Sequence, residues 1–129
     1  MRQRKTALAL SLTGLLAATG QASAEILIGG AICLTGVQAP LDEPGFKGAQ
    51  VAVKQINDAG GLLGEEVRFL NIDGKSDPVT VGNAAVELID QGAELIVAPC
   101  DFDFGGPASR EAQAAGIVGI SMCASDPLY

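Results

Sequence analysis

The run EILIGGAICL, residues 25–34, is apolar almost from end to end and shows no alternation of sidedness. A half-exposed strand alternates polar with apolar residues; a strand covered on both faces, as in a parallel sheet, does not. The residues that follow favour the covered strand. TGVQAPLDE (35–43) has turn chemistry throughout, and PGFKGAQVAVKQINDAGG (44–61) then switches to helical period. Phe46, Ala49, Val53 and Ile56 fall on one stripe, with Lys47 and Lys54 on the other side. Pro44 is expected in the first turn of this helix and Gly60-Gly61 at its stop.

Downstream the strand–helix order recurs. EVRFLNID (66–73) reads as a strand, Asp77 and Pro78 as N-cap and first turn, and VTVGNAAVELIDQ (79–91) as a helix ended by Gly92. ELIVAP (94–99) is a short β-type run whose end Pro99 must mark, because proline cannot donate to a ladder. Pro107 is expected to open a third helix over ASREAQAA (108–115), stopped by Gly116. GIVGIS (116–121) is a fourth strand and MCASDPLY (122–129) a loop. Strands alternating with helices imply right-handed crossovers, hence an α/β fold: a doubly wound parallel sheet of about four strands and three helices.

Upstream of residue 25 the composition changes. MRQRK carries Arg2, Arg4 and Lys5, TALALSLTGLLAATG is apolar, and ASA precedes Glu25. A basic start, a short hydrophobic core and small residues at a cut site predict a secretory signal over residues 1–24, cleaved after Ala24, with export to the periplasm. The apolar segment is short for a membrane span of about 20 residues, so a chain that does not span the membrane is expected after cleavage. Without residues 1–24, five basic residues face fifteen acidic ones, a net charge of −10. That balance argues against nucleic-acid binding, which needs basic surface.

In an open α/β sheet, ligands bind outside the carboxyl ends of the strands, near the point where strand order reverses. Residues 35–41, 100–106 and 122–125 land there, with a helix opening near Gly105-Gly106. Asp101 and Asp103, two apart, would share a face of an extended segment and suit acid/base work. The plainer reading makes both solvated loop aspartates, one of them capping the next helix. The sequence holds no His, no Gly-x-Ser-x-Gly elbow and no phosphate-binding glycine loop. Hence no enzyme, no metal site and no cofactor is expected. Cys33, Cys100 and Cys123 all close strands. Either Cys100 and Cys123 approach each other, as a disulfide in an oxidising compartment, or all three are small buried residues.

The order of these pieces closely resembles the start of type 1 periplasmic binding proteins of the leucine/isoleucine/valine-binding, branched-chain amino-acid ABC transporter type. Gly36 after the first strand, Gly48-Ala49, the series from Ile56 to Gly64, Asp77-Pro78-Val79 and GIVGIS fall at that family's spacings, over essentially all of residues 25–129. The resemblance implies a two-lobed, hinged receptor, of which residues 25–129 make an incomplete N-terminal lobe with the second lobe absent, a segment not expected to bind tightly alone. It implies capture of an amino acid or related small amide or amine, and delivery to an ABC permease. A ligand-sensing receptor on the same fold is the alternative, and a small exported α/β enzyme a remote one.

In that family, hydroxyl and backbone groups of the loops after the third and fourth strands hold the ligand's α-amino and α-carboxylate. Carried over, this gives Cys123 through its backbone, Ser125 through backbone and hydroxyl, and Leu41 where relatives often carry an aromatic wall. Relatives typically show a serine just after the third strand; here Cys100-Asp101-Phe102-Asp103 stands instead, and Pro107 suggests one extra residue. Asp101 and Asp103 would favour an amino or cationic group, with Phe102 or Phe104 against its apolar part. If they point outward, a neutral ligand would take backbone N–H groups instead. Relatives also often bridge the loop near Ser76 to the end of the third strand, so Cys100 is expected free or paired elsewhere.

Overall fold

The computed structural model describes residues 25–123; the signal expected over residues 1–24 and the candidate Ser125 lie outside the described residues. The elements are β1 (Glu25–Gly30), α1 (Ala39–Asp58), β2 (Glu66–Asn71), α2 (Pro78–Asp90), β3 (Leu95–Ala98), α3 (Phe102–Ala115) and β4 (Val118–Ser121). All strand pairs are parallel, in the order β2-β1-β3-β4. The order reverses after β2, so α1 covers β2 on one face while α2 and α3 pack together over β1, β3 and β4 on the other. This is the doubly wound sheet expected from the alternation of strands and helices.

Alternate residues of β1 and β3 supply the core beneath α2 and α3. Leu27, Ala31 and Cys33 meet Ile96 and Ala98 from the sheet, and Val81, Ala84, Ala85, Leu88, Ala108 and Ala112 from the helices. Small residues let the helices approach closely: a Cβ at Gly29 would come within 2.9 Å of both Leu88 Cβ and Ile96 Cδ1. α2 begins as its sequence predicts, with the Asp77 carboxylate accepting the Thr80 N–H at 2.7 Å and Pro78 in the first turn.

The edge strand β2 is closed from an unexpected direction. Asn57, at the end of α1, donates Nδ2 to the Val67 carbonyl at 2.8 Å and accepts the Val67 N–H on Oδ1 at 2.9 Å. One side chain thus occupies the outward-facing backbone pair of an otherwise open edge. The opposite edge, β4, is bare on its α1-side face, where Val118 is 58% and Ile120 46% exposed. Among the described residues, no helix is long and apolar enough to cross a membrane.

Two helix starts differ from expectation, and both shorten a loop. α1 begins at Ala39, not Pro44, so Leu41 belongs to its first turn. α3 begins at Phe102 with Asp101 as N-cap, not at Pro107, so Phe102 and Asp103 are helical and the pair is not extended. In each case the proline lies about one turn inside the helix. There its missing N–H removes only one early bond, to Pro40 or to Asp103, and acidic residues in the first turn complement the helix dipole.

Candidate functional site

Strand order reverses between β1 and β3, and their carboxyl ends lie side by side, with Ala31 N–H donating to the Val97 carbonyl at 3.0 Å. Just beyond, the chain leaves the sheet at Cys33 on one side and Cys100 on the other. A carboxylate joins them. Asp42 Oδ2 accepts the Cys33 N–H at 3.1 Å, and Oδ1 accepts the Cys100 N–H at 2.9 Å and Gln38 Nε2 at 3.1 Å. Asp42 is fully buried and Gln38 nearly so. A buried charge is tolerable only when it is hydrogen-bonded, and here three donors meet it. Asp42 was missed in the sequence because it stands in a stretch that reads as a turn. The signal was present, though: positions 42, 46, 49, 53 and 56 form one helical stripe, and Asp42 extends the apolar stripe back by a turn.

The loop after β2 holds the loop after β1 from the other side. Asp73 accepts the Leu34 N–H on Oδ1 at 2.9 Å, the Thr35 hydroxyl on Oδ2 at 2.7 Å and the Lys75 N–H at 2.9 Å. Ser76 Oγ donates to the Thr35 carbonyl at 2.7 Å and accepts the Gln38 N–H at 2.9 Å. Ser76, at the place where the resemblance puts one end of a bridge, therefore fastens this loop by its hydroxyl. Gly36 makes the clasp possible: its φ of +85° is left-handed, and a Cβ there would lie 2.6 Å from Ser76 Oγ.

Partial burial pushes the Asp73 carboxyl up, but hydrogen bonds from the Lys75 N–H, the Thr35 hydroxyl and the Leu34 N–H outweigh it and hold it below 3.8. The unfolded chain therefore takes up this proton first as the pH falls. Asp73 contributes stability that is complete above pH 3.8 and is lost as the pH drops through its lower native value. Asp73→Asn is expected to flatten that part of the acid limb in a titration of unfolding stability; an unchanged limb would contradict the assignment.

The third and fourth loops are joined covalently. Cys100 and Cys123 form a disulfide, with Cα atoms 4.7 Å apart, which selects the first of the two readings of these cysteines. Ser121 Oγ lies 3.1 Å from the Pro99 carbonyl and 2.8 Å from that of Cys123, and accepts the Cys123 N–H at 3.3 Å. Cys33 is free and buried, and burial pushes its thiol up to about 11.

The candidate residues divide. Asp101, Asp103 and Cys123 come together at the start of α3, where Asp101 caps the helix by accepting the Asp103 N–H at 3.0 Å. Leu41, 59% exposed, projects from the helical turn that carries Asp42. The Phe102 ring lies against Gly106 and lines a depression of about 550 Å³ with Ser109, Arg110, Ile117 and Gly119. That depression runs along α3 beside the open edge at β4, not between the loops. The lip itself thus presents two carboxylates at a helix N-terminus that would otherwise suit an anion. No cluster of His, Cys, Asp or Glu among the described residues could hold a metal ion.

A family model described as periplasmic binding protein matches residues 25–128. Leu/Ile/Val-binding protein homolog 1 of Brucella abortus is 33% identical over 120 residues, 93% of this chain and 32% of that protein. An amino acid binding protein of Pseudomonas aeruginosa is 31% identical over 125 residues, 96% of this chain and 33% of that protein. Among solved structures, the branched-chain amino acid transporter substrate binding protein LivJ from Streptococcus pneumoniae, in complex with isoleucine, superposes with a TM-score of 0.76. It is 30% identical, over 81% of this chain and 30% of that one. The chain spans about a third of the length of the curated relatives it matches.

Proposed function

The chain belongs to the periplasmic binding protein family, and from that premise we propose that it is the N-terminal lobe portion of a solute-binding protein that captures an amino acid or a related small amide or amine. The observation that carries this reading is the convergence of the loops after β1, β3 and β4 on one lip at the strand-order switch, braced by Asp42 and by the Cys100–Cys123 bridge. Asp101 and Asp103 face a ligand's amino group there, and Leu41 lies beside its apolar part. Cys123 and Ser125 complete the binding set. Capture would take place in the periplasm after cleavage at Ala24, and an ABC permease would receive the ligand. The protein has no catalytic role in this reading; its relatives are named as binding proteins.

A thermal-shift screen of the protein at its full encoded length, against aliphatic amino acids, amides, polyamines and dicarboxylates, tests the proposal. A ligand at a hundredfold excess over its Kd adds about 2.7 kcal/mol, a rise in Tm of several degrees. Stabilisation by isoleucine, leucine or another amine-bearing compound is expected. Stabilisation by dicarboxylates alone would overturn the role given to the aspartates, and none by any compound would overturn the binding reading.

A further inference from the structure

The binding role proposed above leaves open what sets the gap between the two central loops of the lip, and the inference here rests on that role. We propose that Asp42 is the positioning residue of the crevice. By accepting the N–H groups with which the chain leaves β1 and β3, it fixes the separation of the first and second lip loops and, through it, ligand affinity.

Three observations support this. First, the carboxylate spends both oxygens on two different loops, Oδ2 on Cys33 and Oδ1 on Cys100, which are otherwise far apart in sequence. An ordinary first-turn acid would face its own helix's N–H groups, and Asp42 instead reaches across the sheet end. Second, the connection continues covalently: Cys100 is bridged to Cys123, so one buried carboxylate and one disulfide link the exits of β1, β3 and β4. Third, its orientation is itself held. Gln38 donates Nε2 to Oδ1 while its own N–H is taken by Ser76 Oγ. A fixed acceptor in a dry site keeps its geometry in a way that a solvated carboxylate does not.

The consequence for binding is specific. The Cys33 and Cys100 N–H groups lie at the switch point, where a ligand would otherwise find donors, and Asp42 occupies both. The ligand must therefore be held farther out, by the residues from Asp101 onward and by the turn carrying Leu41. A fixed negative charge also lies beneath the site, on the same side of the balance as Asp101 and Asp103.

The test is Asp42→Asn in the protein at its full encoded length. It conserves shape but turns one acceptor oxygen into a donor facing an N–H. The amide keeps its oxygen toward the Cys100 N–H and Gln38 Nε2, so hydrogen exchange at the Cys33 amide is expected to speed up about tenfold or more, since leaving a buried donor unmatched carries a penalty of that order. The Ala31 amide, bonded to Val97 within the sheet, should change far less. Isoleucine affinity by calorimetry is expected to fall about tenfold as well. A merely structural carboxylate would instead raise exchange across the whole sheet in step with lost stability, and that result, or unchanged exchange at Cys33, would overturn the proposal. If the wild type binds no amino acid, the binding role fails, and the exchange pattern alone decides for or against positioning. Should Asp42→Asn not fold, Gln38→Met replaces it. Faster exchange confined to Cys100, which shares Oδ1 with Gln38, is then expected, and no local change overturns the assignment.

Discussion

Cys123→Ser is expected to lower unfolding stability by about 3 kcal/mol, the loop-closure entropy released when a link of this span is lost. The two cysteines are 23 residues apart, and the enclosed segment is all of α3 and β4. α3 is packed against α2 and into the core, whereas β4 is held at the margin of the sheet. β4 pairs with β3 over four residues, Leu95 to Ala98 against Val118 to Ser121, and among the described residues nothing pairs with its other edge, while Val118 and Ile120 are exposed on one face. In a domain of this size each kcal/mol shifts Tm by roughly 4–8 °C. Scanning calorimetry of the variant beside the oxidised wild type measures the loss. A thiol assay gives an independent check. The chain has three cysteines, so the oxidised protein should yield one thiol, Cys33, on denaturation and none while native, because that thiol is buried and its pKa is pushed up to about 11. Three thiols on denaturation would refute the bridge.

Leu88→Ala should cost as much or more, about 4 kcal/mol, in the upper part of the range for buried leucine truncations. Leu88 is fully buried on α2, and the sheet beneath it has no side chain at Gly29 to move into the space. Ala84 and Ala85, a turn away on the same helix, and Ala93 just after it are too short to fill the space, so the cavity stays open. The urea midpoint should fall with the m-value unchanged. A loss under about 1 kcal/mol would mean that the site collapses and that α2 does not press on β1 as described. Leu41→Ala offers the contrast: at 59% exposure it should leave stability nearly unchanged, and under the proposed function its effect falls on ligand affinity alone.

The strands and α2 were legible because their signals are local. The almost wholly apolar run 25–34, the Asp77-Pro78 start and Gly92 stop each act within a few residues of themselves. The starts of α1 and α3 were not, because Pro44 and Pro107 read as first-turn residues when each lies about a turn inside its helix. The lip was legible in part. Asp101 and Asp103 stand at a strand's carboxyl end as their place in the sequence implies, and Cys123, taken from the family resemblance, lies with them at the start of α3. Phe102 was placed in the loop and instead lies along the helix against Gly106.

By itself the sequence determined the strand–helix alternation, hence the parallel sheet and which loops leave the carboxyl ends of its strands, since hydrophobic period and turn chemistry are properties of neighbours in the chain. Only the tertiary structure decided what braces that end. Asp42 meets Cys33 and Cys100 from 9 and 58 residues away, and Ser76 meets Thr35 from 41. No local pattern distinguishes a carboxylate that will be buried among three donors from one left in water; the sheet brings those donors together, and only then does the charge have a reason to be inside.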